Sequence, residues 1–180
     1  TIERLSINLS NELDPSIDSE YCKLVNEAIG ENPVILVDDS DVIKPCGYKF
    51  ESLGKVRDGS SKEKKIEKGY MVTEMLALTK EKKNPLSLFS HIHSSEEKDY
   101  ESTNSITYKG LDKVIKTING KGTFVFDRGY DMNELFKYMY KNEQDFVIRL
   151  TEKRKLFHKG RWYKSSVLRD SRKGKIKRCK

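Results

Sequence analysis

Val34-Ile35-Leu36-Val37-Asp38-Asp39-Ser40-Asp41 and Thr123-Phe124-Val125-Phe126-Asp127-Arg128-Gly129-Tyr130 decide the fold. Each is a short run of apolar, largely β-branched or aromatic residues that stops at an aspartate. Such a run predicts a buried central strand, and the residues after it emerge at the strand's carboxyl end. If the two strands are neighbours in one sheet, their aspartates converge at the sheet edge. Facing carboxylates repel each other unless a divalent cation lies between them. This is the seed of a two-metal site for cutting and joining phosphodiesters.

Outward from these runs, the chain reads as alternating elements. Residues 2–13 and 18–30 have helical spacing, the second with Tyr21, Leu24, Val25 and Ala28 on one face and Gly30 as a stop. Asn32-Pro33 breaks the chain before a strand at 34–38. Residues 40–68 form a long polar loop with short pairing at most and a turn at Lys55-Val56-Arg57-Asp58-Gly59-Ser60. Residues 69–79 and 85–93 read as a hairpin around a charged turn. Leu111, Val114, Ile115 and Ile118 give residues 102–118 a helical stripe, and a strand at 123–127 comes after Asn119-Gly120-Lys121-Gly122. Asp131 and Glu134 have capping-box spacing for a helix that buries Met132, Leu135, Phe136, Met139 and Tyr140. A last strand covers 145–150.

The order β-β-β-α-β-α-β predicts an α/β fold with a mixed sheet and flanking helices, the ribonuclease-H-like architecture. The strands ending at Asp38 and Asp127 then lie side by side at its centre. Three parts are expected: a helical lead-in at 1–32, a partial ribonuclease-H-like core at 33–150, and the start of a basic, β-rich inserted domain at 151–180, opening with a hairpin around Lys159-Gly160.

Of 180 residues, 36% are hydrophobic and 35% charged. No run of about 18 apolar residues exists to cross a membrane, and no signal-peptide pattern opens the chain. Three widely spaced cysteines make no Cys-x-x-Cys or Cys/His cluster, which fits reduced thiols. His91-x-His93 places two imidazoles on one strand face without a third ligand in view. The net charge of +7 is uneven: fourteen Lys/Arg and two acidic residues between Arg149 and Lys180 give that segment +12, leaving −5 for the first 148 residues. A basic segment interleaved with Phe157, Trp162 and Tyr163 suits a polyanion.

The chemistry assigns roles. Asp38 and Asp127 are the candidate metal ligands and catalytic carboxylates. Asp39 is the alternative to Asp38, since neighbours in a persisting strand point to opposite sides. Mg²⁺ or Mn²⁺ is the expected cofactor, held by one or two carboxylates and a phosphate oxygen. Two carboxylates cannot hold two ions, so a third acidic residue is required. Arg128, next to Asp127, is a phosphate-contact candidate or else an ion-pair partner. Arg149, Lys153, Arg154, Lys159, Arg161 and Lys164 are candidates for the DNA backbone, with a salt-dependent affinity. Trp162 is a candidate for stacking on an unpaired base.

Val37-Asp38-Asp39-Ser40-Asp41-Val42 and Phe126-Asp127-Arg128-Gly129-Tyr130 resemble the first and second catalytic blocks of the DDE transposases of bacterial insertion sequences, in the cut-and-paste branch with an inserted domain. Arg57-Asp58-Gly59-Ser60, the strand from Gly69 and Glu101-Ser102-Thr103-Asn104 fall where such proteins have similar text, so the resemblance spans about residues 30–150. It implies Mg²⁺- or Mn²⁺-dependent cleavage of double-stranded DNA at transposon ends and strand transfer into a target. It also implies a homodimeric synaptic complex and a cytoplasmic, nucleoid-associated location. The third carboxylate would be a Glu in a Tyr-x2-Arg-x3-Glu-x6-Lys block. No such block occurs here, so that Glu is expected outside this chain and these residues alone are expected to be inactive. The alternatives are a ribonuclease-H-like nuclease or resolvase without strand transfer, and a non-catalytic basic nucleic-acid-binding protein.

Overall fold

The computed structural model describes residues 15–171 apart from Tyr48, Ser60, Lys62, Lys64, Lys82 and Lys83. The helix predicted at 2–13 and the end of the basic tail lie outside the described residues. Helix α1 (Pro15–Ile29) leads into β1 (Val34–Ile43), then β2 (Gly54–Arg57), β3 (Ile66–Leu78) and β4 (Pro85–His93). Next come helix α2 (Thr103–Thr117), β5 (Thr123–Phe126), a 3-10 turn (Arg128–Tyr130), α3 (Asn133–Lys141) and β6 (Asp145–Ile148). The chain continues through a hairpin, β7 (Lys155–His158) and β8 (Arg161–Lys164), into the short helix α4 (Ser165–Asp170).

The fold is α/β with a mixed sheet. Strand β1 is central: antiparallel to β3 on one side, parallel to β5 on the other, with β6 parallel beyond β5. The far edge of β3 is shared by β2, which pairs with residues 66–69, and by β4, which pairs with 71–78. The predicted element order is therefore present, with β2 as an additional strand in the segment read as a loop. Lys55-Val56-Arg57, read as part of a turn, lies in that strand.

Register places Ile35 between Ala77 and Phe124, and Val37 between Met75 and Phe126. All six are buried, and all pack with Val25 and Ile29 of α1, Leu111 and Val114 of α2, and Leu135 and Met139 of α3. A side-chain period of two thus puts every second strand residue into one core beneath three helices. The opposite face is apolar too but more open: Leu36, Ile92 and Val147 are all exposed. Helix α2 starts where Ser102 Oγ accepts the Ser105 N–H at 3.1 Å. Its predicted stripe is confirmed at Leu111 and Val114 and continues into the buried Ile118, while Ile115 is only partly buried.

The capping box at α3 did not form. The helix begins at Asn133 after Met132, with no side-chain cap. Asp131 faces elsewhere: its Oδ2 accepts both the N–H and the hydroxyl of Thr151 at 2.7 Å, and it is ion-paired with Arg154. The expected hairpin around Lys159-Gly160 is present as a separate two-stranded sheet, and Ser165 and Ser166 open α4.

Candidate metal centre

Parallel pairing of β1 and β5 ends at Val37 and Phe126. The next residue on each strand is Asp38 and Asp127, so the two aspartates leave the paired ladder at the same level. One expectation needs correcting. Strand β1 does not stop at Asp38; it runs on to Ile43 because β3 supplies a ladder, pairing Asp38 with Glu74 and Asp39 with Thr73. It is β5 that stops. The convergence at the carboxyl end is retained, and the persistence of β1 sends Asp38 and Asp39 to opposite sides of the sheet.

Beyond the end of β5 the two sides become continuous. Asp38, Asp39, Asn104, Asp127, Gly129, Tyr130 and Met132 line one cleft of about 220 Å³. Asp127 caps the 3-10 turn, its Oδ1 accepting the Gly129 N–H at 2.5 Å. This hydrogen bond fixes the carboxylate and explains a small residue two positions after the aspartate: a Cβ at Gly129 would sit 2.9 Å from that same oxygen. On the other side, Asp39 Oδ1 accepts the Thr73 hydroxyl at 2.6 Å.

The electrostatics are those of a crowded anionic site. Burial, and next the charge of Asp127, push the Asp38 carboxyl above the usual range, although the Asp39 N–H opposes this. Among the described residues, none of Asp38, Asp39 and Asp127 has a Lys, Arg or His ion-pair partner. The Tyr130 ring is buried. Burial, then the negative charge of Asp39 and a contact with its carboxylate, raise the phenol well above the usual range against an opposing contact with Thr107, although neither contact is a well-aligned hydrogen bond. Two mutually repelling carboxylates at one cleft fit a hard cation with its water and phosphate ligands. No group of three His, Cys, Asp or Glu side chains among the described residues forms a cage by itself. The donor set therefore suits an ion held by one or two carboxylates, as Mg²⁺ usually is.

The candidates for DNA contact separate into two kinds. Arg149, Lys153, Lys159, Arg161 and Lys164 are exposed and enter no ion pair among the described residues. Arg128 is likewise exposed and is not the ion-pair partner of Asp127. Arg154 is different. Its guanidinium is ion-paired with Asp131, donates to Asn133 Oδ1 at 2.7 Å and to the Asp131 carbonyl at 3.0 Å, and lies 4.7 Å over the Phe136 ring. It fastens the hairpin to α3 and is not a free cation. Trp162 is 68% exposed and, among the described residues, meets only Phe157 as an aromatic partner, at 5.3 Å between centroids. A packing role within the hairpin thus covers only part of its ring.

Sequence reasoning assigned no role to Tyr130, Asn104 or Thr73. The first was visible inside Asp-Arg-Gly-Tyr and the second near the start of a predicted helix. Thr73 could be found only from the register of β3 on β1. His91 and His93 do share a strand face, their rings 6.0 Å apart and nearly parallel. A scan against models of known protein families finds no match to the chain, and a search of curated proteins finds none either.

Proposed function

We propose that the cleft binds Mg²⁺ or Mn²⁺ through Asp38 and Asp127 and that the chain is part of the ribonuclease-H-like catalytic core of a DDE transposase acting on double-stranded DNA. The observation that carries this reading is the pair itself: two carboxylates at the end of the parallel β1–β5 ladder, electrostatically coupled and without a basic ion-pair partner among the described residues. The strand order β4-β3-β1-β5-β6, antiparallel then parallel, supports the ribonuclease-H-like assignment.

When bound, the cation supplies Lewis-acid charge at the phosphoryl oxygens and activates the attacking hydroxyl or water. The chain's own residues do the rest. Asp38 and Asp127 hold the ion, and the Gly129 N–H keeps Asp127 in one orientation. The Tyr130 hydroxyl, beside Asp39 and Thr107 but in no well-aligned hydrogen bond among the described residues, faces the cleft where a phosphate oxygen would bind. The exposed Arg149, Lys153, Lys159, Arg161 and Lys164 grip the DNA backbone without reading its sequence. A further carboxylate completes the site, and a second protomer joins in the synaptic complex.

Mn²⁺ titration followed by electron paramagnetic resonance tests the core of this reading. Wild type binds the ion; Asp38→Asn and Asp127→Asn each lose it. Equal binding by all three would overturn the metal site. Joining of a 3′-hydroxyl DNA end to a target by the full-length protein separates a transposase from a nuclease, which would cut without joining. A non-catalytic nucleic-acid-binding protein would keep its DNA affinity and its function in the double variant.

A further inference from the structure

Asp39 has a support that the proposed reaction has not used. Its Oδ1 accepts the Thr73 hydroxyl at 2.6 Å, and Thr73 Oγ1 lies 3.0 Å from His93 Nε2. Thr73 and His93 are both 0% exposed. A hydroxyl has one proton. Since Thr73 gives it to the carboxylate, the hydrogen at the other contact comes from His93, which fixes the Nε2–H tautomer and leaves Nδ1 with a bare lone pair. That atom has no partner among the described residues, and a buried bare acceptor is the less costly of the two alternatives: the reverse tautomer would bury an unpaired N–H as well as set two lone pairs against each other at 3.0 Å. The ring neighbours those of His91 and Tyr100, each 6.0 Å away and close to parallel. Burial favours its neutral form.

We propose that Thr73 and His93 are positioning residues for Asp39, a buried imidazole–hydroxyl–carboxylate relay that fixes this carboxylate at the mouth of the metal cleft. The Asp39 carboxylate has one oxygen engaged by the relay and lines the cleft beside Asp38 and Asp127. It thereby acts as an oriented acceptor for a water of the bound cation, or as an additional oxygen ligand. Supporting groups hydrogen-bonded to a residue at a metal site commonly change metal affinity by about 10–100-fold when removed. The proposal rests on the metal reading above and goes beyond it, because it concerns residues on β3 and β4 that never touch the substrate.

The test uses Thr73→Val, which keeps the shape and removes the hydroxyl, and Thr73→Ser, which restores the hydroxyl. The expected result is Mn²⁺ binding weakened about 10–100-fold in Thr73→Val and recovered to within about threefold of wild type in Thr73→Ser. A merely structural role for Thr73 would not be rescued by the hydroxyl alone. Nitrogen-15 correlation spectra of the histidine rings give a second readout that needs no metal: His93 shows a protonated Nε2 and a bare Nδ1. Wild-type affinity in Thr73→Val, while Asp127→Asn abolishes binding, overturns the relay and leaves the metal site standing. A protonated Nδ1 also overturns the relay, even if Thr73→Val fails to fold. Absence of Mn²⁺ binding in wild type removes both readings together.

Discussion

Asp131→Ala should be among the most damaging single substitutions outside the core. Its side chain is 1% exposed and accepts two 2.7 Å hydrogen bonds from Thr151, while Arg154, itself only 19% exposed, pairs with its other oxygen. Removing one member of a buried pair costs about 3–5 kcal/mol, because the other charge is left uncompensated. Arg154 keeps Asn133, the Asp131 carbonyl and the Phe136 ring face, which argues for the lower end, about 3 kcal/mol. In a domain of this size that is a fall in Tm of about 6–12 °C. Urea denaturation of wild type, Asp131→Ala, Arg154→Met and the double variant measures it. The double variant should be more stable than Asp131→Ala alone, since it removes the stranded cation, with a coupling energy of about 1.5–3 kcal/mol. The carboxyl sets the sign of the pH dependence. Burial alone would raise it, but the Thr151 N–H and hydroxyl together with Arg154 outweigh burial and hold it below the usual range. Its contribution is therefore complete above about pH 4 and is lost as pH falls through the lowered native value. Asp131→Asn should flatten the acid limb. A cost below about 1 kcal/mol, or strict additivity in the cycle, would refute the claim that this pair clamps the hairpin to α3.

Asp38→Asn should raise stability at pH 7 while abolishing Mn²⁺ binding. The native carboxyl titrates above its unfolded value, so ionised Asp38 weakens the fold above that point and the burden lifts on acidification; denaturation at pH 7 and pH 4 should show the variant's advantage shrinking. Gly110 sits in α2 where a Cβ would approach Met75 Cε at 2.7 Å and the Phe89 ring at 2.8 Å. Gly110→Ala should therefore cost up to about 2 kcal/mol by denaturation, overpacking of about 1–3 kcal/mol being set against a gain of about 1 kcal/mol in helix propensity. Tyr130→Phe deletes a buried hydroxyl that makes no well-aligned hydrogen bond among the described residues, so Tm should hold or rise; a fall of several degrees would show that its contacts with Asp39 and Thr107 hold the fold. Replacing both Lys159 and Arg161 by Ala should reduce the slope of log affinity for DNA against log salt by about 1.8 if both touch phosphates.

The parts of the fold legible in the sequence were those whose causes are local. Ile35 and Val37, and Phe124 and Phe126, announce central strands because alternate apolar residues must go into a core. Leu111 and Val114 announce a helix for the same reason at a period of 3.6. The features that stayed hidden depended on partners distant in sequence. Asp38-Asp39-Ser40-Asp41 has weak strand preference, yet it is strand because β3 offers nine consecutive partners from Ala77 to Gly69. Strand β2, four residues long and basic, exists only because β3 overruns β4 at its start. Asp131 has the spacing of a helix cap, but a cap competes with any better donor set, and Thr151 and Arg154 supply one from 20 and 23 positions away. The positions of Asp38 and Asp127 were legible for a different reason: each is the first polar residue after an apolar strand run, and the length of that run sets the level at which the aspartate emerges.

The chain's distribution of counter-ions supports the proposed cation site. It has 35 Lys and Arg against 28 Asp and Glu, so basic side chains are not scarce. Asp131, four residues after Asp127, receives an arginine and two hydrogen bonds from Thr151. Arg128 is the immediate neighbour of Asp127 and remains exposed, with no ion pair among the described residues. An ordinary turn-forming aspartate would tolerate the neighbouring arginine, and folding alone would favour neutralising Asp38, whose carboxyl is pushed up by burial and by Asp127. Two carboxylates kept adjacent, with no basic ion-pair partner among the described residues, carry a folding cost that the proposed cation would remove. That cost has a measurable counterpart: Mn²⁺ should raise the Tm of wild type and leave that of Asp127→Asn unchanged.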